Sequence, residues 1–293
     1  MANQDNQNEG WFTEAELPYS QQDIRLSTRY TDILFDKKSP FGHVQIFDTP
    51  FYGRMLTLDG IIQVAEKDEF IYHEMMITLP AIKHGNPKSV LIVGGGDGGA
   101  VKQATRLPSV ERIVMVEIDQ SVIDMCQKYL PSIGGGTMSD SRVEVITADG
   151  KEYVENCQET FDIIALDLTD PVPDGPAEAL FEEPFYQAVK KILNPGGYMT
   201  THCGSLLFQP EEAKALRERL QRAFKDVSLT SAVVPTYQLT SFGFLLATDK
   251  PTSLDRTEVA RRIKALPAGL QYLSTDIVMG ADVLPPYLVN KLT

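Results

Sequence analysis

The sequence predicts an α/β fold: a doubly wound, mostly parallel sheet with helices on both faces, preceded by a small N-terminal β-strand domain. Three observations carry this. From Pro87 onward, apolar strand-like runs alternate with helical stretches, the rhythm of βαβ units. Before residue 70 the pattern is β, cut by Gly, Pro and Asp turn signals. Between the two, Val90 to Val93 read as a strand buried on both faces that exits through Gly94-Gly95-Gly96-Asp97-Gly98-Gly99 into a helix.

Taken in order, MANQDNQNEG is polar, lacks a basic-then-apolar signal pattern and is expected to be disordered over roughly its ten residues. TDILFD, HVQIFDT, RMLTLD and IIQVAEKD follow as strands, and Asp59-Gly60 between two alternating runs marks a hairpin. They are too few and too short for a large core, so residues 1–70 are expected to form a small sheet packed on something else. A helix is expected from Glu69 to about His84, with Phe70, Met75, Met76, Leu79 and Ile82 in the core. Residues 71–293 form the second domain. Its strands are VLIV, RIVMVEI, RVEVITA, DIIALDL, GYMTTH, VSLTSAVV and FGFLLAT, with helices near 99–106, 120–129, 182–193 and 210–224. In such a sheet, ligands bind outside the carboxyl ends of the strands, at the topological switch point.

A chain of 293 residues can bury a full core. The formal net charge of −13 disfavours nucleic acid and anionic membrane as partners and favours small cations; plain solubility is the other reading of that acidity. Cys126, Cys157 and Cys203 are scattered without C-x-x-C, so neither a disulfide framework nor a thiolate metal site is indicated. A reducing cytoplasm is the expected compartment. No apolar run reaches the ~18 residues needed to span a membrane.

Gly94, Gly96 and Gly99 satisfy G-x-G-x-x-G, and Glu117 lies 21 positions after Gly96, the spacing at which an acid meets a ribose hydroxyl. Asp97 is out of place in a loop cradling a pyrophosphate, because like charges about 4 Å apart repel by about 4 kcal/mol at intermediate dielectric. A nucleoside with a cationic tail fits better, so the loop reads as holding an adenosyl sulfonium donor rather than NAD. Asp149-Gly150 ends the strand RVEVITA, either as a plain turn or as an acid and a backbone N–H reading an adenine edge. Asp167 and Asp170 flank Leu168 and Thr169 after DIIAL; a helix cap for one of them is the alternative to an acidic pocket suited to amines. Asp170 precedes a proline and is biased toward extended backbone. Tyr237 and Tyr72-His73-Glu74 add polar groups, each equally readable as packing. His73-Glu74 starts like a zinc-protease motif, but Ile77 stands where the second His belongs, so no metal site is proposed.

Together GGGDGG, VEID, ADG, DLTDP and VPTY, with DEFIYHEMM upstream, resemble the polyamine aminopropyltransferases, the spermidine synthase family, from about Tyr30 to Leu288. The resemblance implies a methyltransferase-like Rossmann sheet, and association through the N-terminal sheets into a homodimer or homotetramer. It implies transfer of the aminopropyl group of decarboxylated S-adenosylmethionine to a diamine. That donor is a co-substrate; no metal or redox cofactor is implied. Residue by residue, Glu117 resembles the ribose ligand and Asp149 with Gly150 the adenine edge. Asp97 resembles the partner of the donor's ammonium, while Gln63, His73, Gly94, Gly95, Gly96, Ile118 and Pro176 match the donor site. Tyr72, Leu168, Thr169, Asp170 and Tyr237 match positions holding the acceptor, and Asp167 matches the catalytic acid-base.

The departures bear on the acceptor and one donor contact. Where many members carry Gln, this chain has Phe41-Gly42, with His43 and Gln45 as candidate substitutes. The loop PVPDGPAEALF is longer than the PIGPAESLF form of putrescine users and is a candidate lid; its DL-x-DP start is similar to members acting on agmatine or forming thermospermine. The family's C-terminal pattern survives mainly in its Leu284-Pro285 end. Putrescine is the expected acceptor, with agmatine, cadaverine and spermidine as alternatives. A methyltransferase using intact S-adenosylmethionine, a silent binding module and a nicotinamide dehydrogenase are the competing classes.

Overall fold

A computed structural model describes residues 9–15, 26–171, 175, 177–237 and 239–292. Pro176 and residues 172–174 of the candidate lid lie outside the described residues, as do residues 1–8 of the tail. Glu9 and Gly10 do not follow the expectation of disorder: Gly10–Thr13 (β1) pairs antiparallel with Ser27–Tyr30 (β2), and Glu9 meets Arg29 at 2.9 Å. A four-stranded antiparallel meander follows, of Asp32–Ser39 (β3), Gly42–Thr49 (β4), Gly53–Leu58 (β5) and Ile61–Ala65 (β6). Alternation along β4 turns Val44 and Ile46 inward, where they meet Val122, Cys126 and Ile133 of the larger domain. The small sheet thus covers its apolar face with a helix that it does not itself contain.

The helix after the hairpin sheet is continuous in path but not in winding. Glu69–His73 is α-helical, Glu74–Thr78 widens into a π turn and Leu79–His84 resumes the α-helix. Met75, Met76, Leu79 and Ile82 are fully buried, whereas Phe70 is only partly buried. Glu74 explains part of the widening: its carboxylate is buried and accepts N–H bonds from Gln271, Tyr272 and Leu273 at 2.8–3.2 Å. Such a π insertion re-aims the side chains at one turn of a helix.

The large sheet has seven strands: Ser89–Gly94 (β7), Arg112–Glu117 (β8), Val143–Thr147 (β9), Phe161–Asp167 (β10), Leu193–Ser205 (β11), Asp226–Val233 (β12) and Ser241–Thr248 (β13), in the order β12-β13-β11-β10-β7-β8-β9. All pairs from β11 through β9 are parallel; β13 runs antiparallel to both its neighbours. Winding proceeds from β7 outward to β9, then restarts at β10 on the other side. The switch point therefore lies between β7 and β10, where Gly94 and Asp167 are register partners. Helices Gly99–Thr105, Gln120–Tyr129, Glu183–Lys191 and Pro210–Ala223 fall where the alternation placed them. Short helices at Gly150–Asn156, Arg256–Ala265, Thr275–Gly280 and Pro286–Leu292 carried too little apolar periodicity to be read from sequence. Among the described residues no helix is long and apolar enough to cross a membrane.

Candidate active site

The strand ends at the switch point open into a cavity of about 250 Å³. One wall comes from the large sheet and the other from the meander, through Gly42, Val44, Leu56, Leu58, Ile62 and Gln63. Eight carboxylates line it, Glu14, Asp59, Asp97, Glu117, Asp119, Asp149, Asp167 and Asp170, with no lysine or arginine among the described lining residues. Such a cleft focuses a negative potential and concentrates small cations.

Backbone geometry at the floor is set by Gly94. Its φ is +85°, and a Cβ there would meet the Asp167 carbonyl oxygen at 2.0 Å. Only glycine lets β7 and β10 approach so closely, and Gly95 N–H then donates to that same carbonyl at 2.9 Å. Glu117, at the end of β8, accepts from Gly96 N–H at 3.2 Å and from Asp119 N–H at 3.0 Å. Burial pushes its carboxyl up to about 7. Asp149 caps the helix Gly150–Asn156, accepting from Lys151 N–H at 2.7 Å and Glu152 N–H at 3.0 Å, and both Asp149 and Gly150 line the cavity.

Asp97 accepts from Gly99 N–H at 2.6 Å and lies 3.5 Å from His73 Nε2. His73 Nδ1 is 2.6 Å from Glu69 Oε2, and Glu69 Oε1 receives Lys102 Nζ at 3.0 Å. Burial disfavours an imidazolium, but a carboxylate on each ring nitrogen outweighs it and raises His73 well above its usual range. Burial likewise opposes ionisation of Asp97, and His73 with the Gly99 N–H outweighs it, so Asp97 is held ionised. His73 is 1% exposed and does not line the cavity. It stands behind Asp97, its ring boxed in by Glu69 and Gly99.

Asp167 is the last residue of β10, and neither it nor Asp170 caps a helix. Its Oδ2 is buried without a hydrogen-bond partner. Burial, reinforced by Asp97, pushes Asp167 up to about 6; His73 and the Tyr72 hydroxyl pull the other way. Burial and the field of Asp167 keep Tyr72 a phenol, well above its usual range. Tyr237, raised well above its usual range by burial and Asp97, donates its hydroxyl to the Gln63 carbonyl and packs edge-on against Tyr72, ring centres 5.8 Å apart. Burial also raises Asp170.

Gln63, Ile118, Leu168 and Thr169 line the cavity as well. The proposed substitutes for the missing amide do not: His43 Nε2 and Gln45 Nε2 both reach Asp36, at 2.6 and 2.9 Å, because alternation turns them to the opposite face of β4 from Gly42 and Val44. At Gly42 itself a Cβ would come within 2.6 Å of the Asp59 carboxylate, which is held by His43 N–H at 2.8 Å. Sequence reasoning missed His202, Ser205, Gln209 and Phe242. His202 could have been found, since it ends the run GYMTTH at the same carboxyl edge as Asp167. Ser205 ends β11, Phe242 lies near the start of β13 and Gln209 immediately precedes the helix Pro210–Ala223, and none of them carries a spacing signal.

Sheet order and strand-end chemistry define a class: a Rossmann-type α/β enzyme with an acidic crevice at its switch point. Residues 69–257 match the family model of the spermine/spermidine synthase domain and residues 10–66 that of the spermidine synthase tetramerisation domain. The chain belongs to the spermine/spermidine synthase family and is an aminopropyltransferase. It is 38% identical over 262 residues to a polyamine aminopropyltransferase of Pectobacterium carotovorum, covering 89% of this chain and 91% of that protein. A polyamine aminopropyltransferase of Sodalis glossinidius is 41% identical over 250 residues, with coverage of 85% and 86%. Among solved structures, a spermidine synthase in complex with the transition-state analogue AdoDATO superposes with a TM-score of 0.88 at 30% identity, covering 96% of this chain and 94% of that one. Spermidine synthase from Thermotoga maritima gives 0.86 at 28% identity, with coverage of 96% and 93%.

Proposed function

We propose that this enzyme transfers the aminopropyl group of decarboxylated S-adenosylmethionine to putrescine, giving spermidine and 5′-methylthioadenosine. The observation that carries the reading is the buried, partnerless Asp167 Oδ2, an acceptor with no cation of the chain's own to satisfy it. A buried carboxylate oxygen left unpaired is costly unless a ligand supplies the donor. An ammonium does so and leaves its proton behind.

In the proposed step the amine nitrogen attacks the aminopropyl methylene bonded to sulfur. A C–N bond forms, the C–S bond breaks with its electron pair going to sulfur, and the sulfonium becomes a neutral thioether. The proton lost by nitrogen passes to Asp167. Holding nitrogen and carbon in line makes the displacement effectively unimolecular, and the sulfonium is a leaving group that needs no metal. Glu117 receives the ribose hydroxyls, Asp149 and Gly150 the adenine edge, and Gly94 to Gly96 with Gln63 and Ile118 surround the nucleoside. Asp97 pairs with the donor's ammonium and repels the carboxylate of intact S-adenosylmethionine, which argues against a methyltransferase. Tyr72, Tyr237, Leu168, Thr169 and Asp170 hold the acceptor, whose methylenes lie on the aromatic walls. The match of residues 10–66 to a tetramerisation domain supports assembly through the N-terminal sheets.

The test is release of 5′-methylthioadenosine from decarboxylated donor with putrescine, cadaverine, agmatine and spermidine in parallel. Consumption of putrescine at the lowest concentration is the expected result. Preference for another amine overturns the acceptor assignment, and release with none of them overturns the reaction.

A further inference from the structure

His202 is fixed on every side yet leaves one polar atom unused. Its Nε2 bonds the Leu168 carbonyl oxygen at 2.8 Å, Phe242 stacks on the ring at 5.6 Å and 22°, and Phe181 packs against its edge at 6.0 Å. A carbonyl oxygen only accepts, so Nε2 donates its hydrogen to Leu168 and is committed there. Nδ1 is buried, has no hydrogen-bond partner and belongs to a side chain that is 5% exposed and lines the cavity. It faces Asp170 Oδ1 at 4.0 Å. With Nε2 committed to Leu168, the gap between Nδ1 and Asp170 Oδ1 is wide enough for a ligand nitrogen to bridge.

A nitrogen about 2.9 Å from both atoms would see them roughly 90° apart, within the bending that an ammonium's N–H bonds tolerate. Asp170 supplies the charge and His202 the second acceptor. The Leu168 tether holds the His202 ring against the loop that carries both Asp167 and Asp170.

We propose that His202 is a specificity-determining residue: with Asp170 it grips the ammonium of the diamine that does not react. This rests on aminopropyl transfer to a diamine as proposed above. It gives the chain a reason to favour a diamine over a monoamine that does not depend on the length of the loop after Asp170.

The experiment compares wild type, His202→Leu and His202→Gln at saturating decarboxylated donor, with putrescine and with n-butylamine, which lacks the second amino group. Affinity for 5′-methylthioadenosine monitors folding and the donor site. His202→Leu is expected to lower kcat/KM for putrescine about 10- to 100-fold more than kcat/KM for n-butylamine, the loss of one hydrogen bond to a charged group. His202→Gln keeps an N–H for Leu168 and an oxygen acceptor, and is expected to retain most of the diamine preference. Equal loss with both amines in His202→Leu, at unchanged methylthioadenosine affinity, would show only a tether for the loop and overturn the proposal, as would unchanged preference. Wild type that releases no methylthioadenosine with any amine fails the underlying reaction instead, and the two failures are told apart by that single control.

Discussion

Replacing Asp167 by Asn keeps the side chain's size but removes the carboxylate proposed to take a proton from the incoming ammonium. The magnitude follows from two proton affinities. With its carboxyl at about 6, Asp167 is about 95% ionised at pH 7.4, so nearly every enzyme molecule is a competent base. An alkylammonium near 10.4 is only about one part in a thousand free amine at that pH. Without the base, the reaction must wait for amine that arrives already deprotonated, and kcat/KM should fall about 10²- to 10⁴-fold. The pH profile should change shape too. Wild-type kcat/KM is expected to rise through about pH 6 as Asp167 ionises and then level off; the Asn variant should keep climbing about tenfold per unit up to the amine's own pKa. The assay is initial-rate methylthioadenosine release from pH 5.5 to 9.5, with methylthioadenosine affinity measured alongside and expected to hold within about twofold. A variant with the wild-type rate, or with a wild-type plateau at reduced height, would refute Asp167 as the proton acceptor.

Glu117 gives a second pH signature: burial lifts its carboxyl to about 7, and ribose hydroxyls donate best to the ionised form, so methylthioadenosine should bind more weakly as pH falls through about 7. Titration calorimetry between pH 5.5 and 8.5 checks this, and a flat profile would remove Glu117 from ribose binding. Asp97→Asn should weaken the decarboxylated donor and relax exclusion of intact S-adenosylmethionine, narrowing the ratio of their affinities about 10- to 100-fold, as thermal-shift titration with each nucleoside would report. Gly94→Ala forces a Cβ onto the Asp167 carbonyl and should destabilise the protein by about 3 kcal/mol in urea unfolding, whereas Gly136→Ala, also at positive φ but in open space, should cost only about 1 kcal/mol.

The large sheet was legible because its strands are buried on both faces and so appear as unbroken apolar runs, Val90–Val93 and Ile163–Leu166 above all. The strand-end rule then brought Asp97, Glu117, Asp149 and Asp167 together from positions as much as 70 residues apart. What sequence could not tell was which way a side chain turns once an element is placed. Tyr72 and His73 are neighbours, yet the ~100° step between adjacent helical residues leaves the first near Asp167 and the second sealed behind Asp97. His43 and Gln45 failed as substitutes by the parity of a strand, which depends on a register only the paired sheet fixes. His202 escaped notice because its significance lies in a missing partner, and absence of a partner is a property of packing.

One measurement bears most directly on the claim that Asp167 is the acceptor of the amine's proton: the distance from Asp167 Oδ2 to the nearest amine nitrogen in a crystal structure with methylthioadenosine and putrescine bound. The account requires that nitrogen within hydrogen-bond reach, about 2.6–3.2 Å, with the nitrogen facing the sulfur of the nucleoside. An amine seated elsewhere in the crevice, or an Asp167 carboxylate satisfied by a group of the protein itself while the diamine is bound, would contradict it.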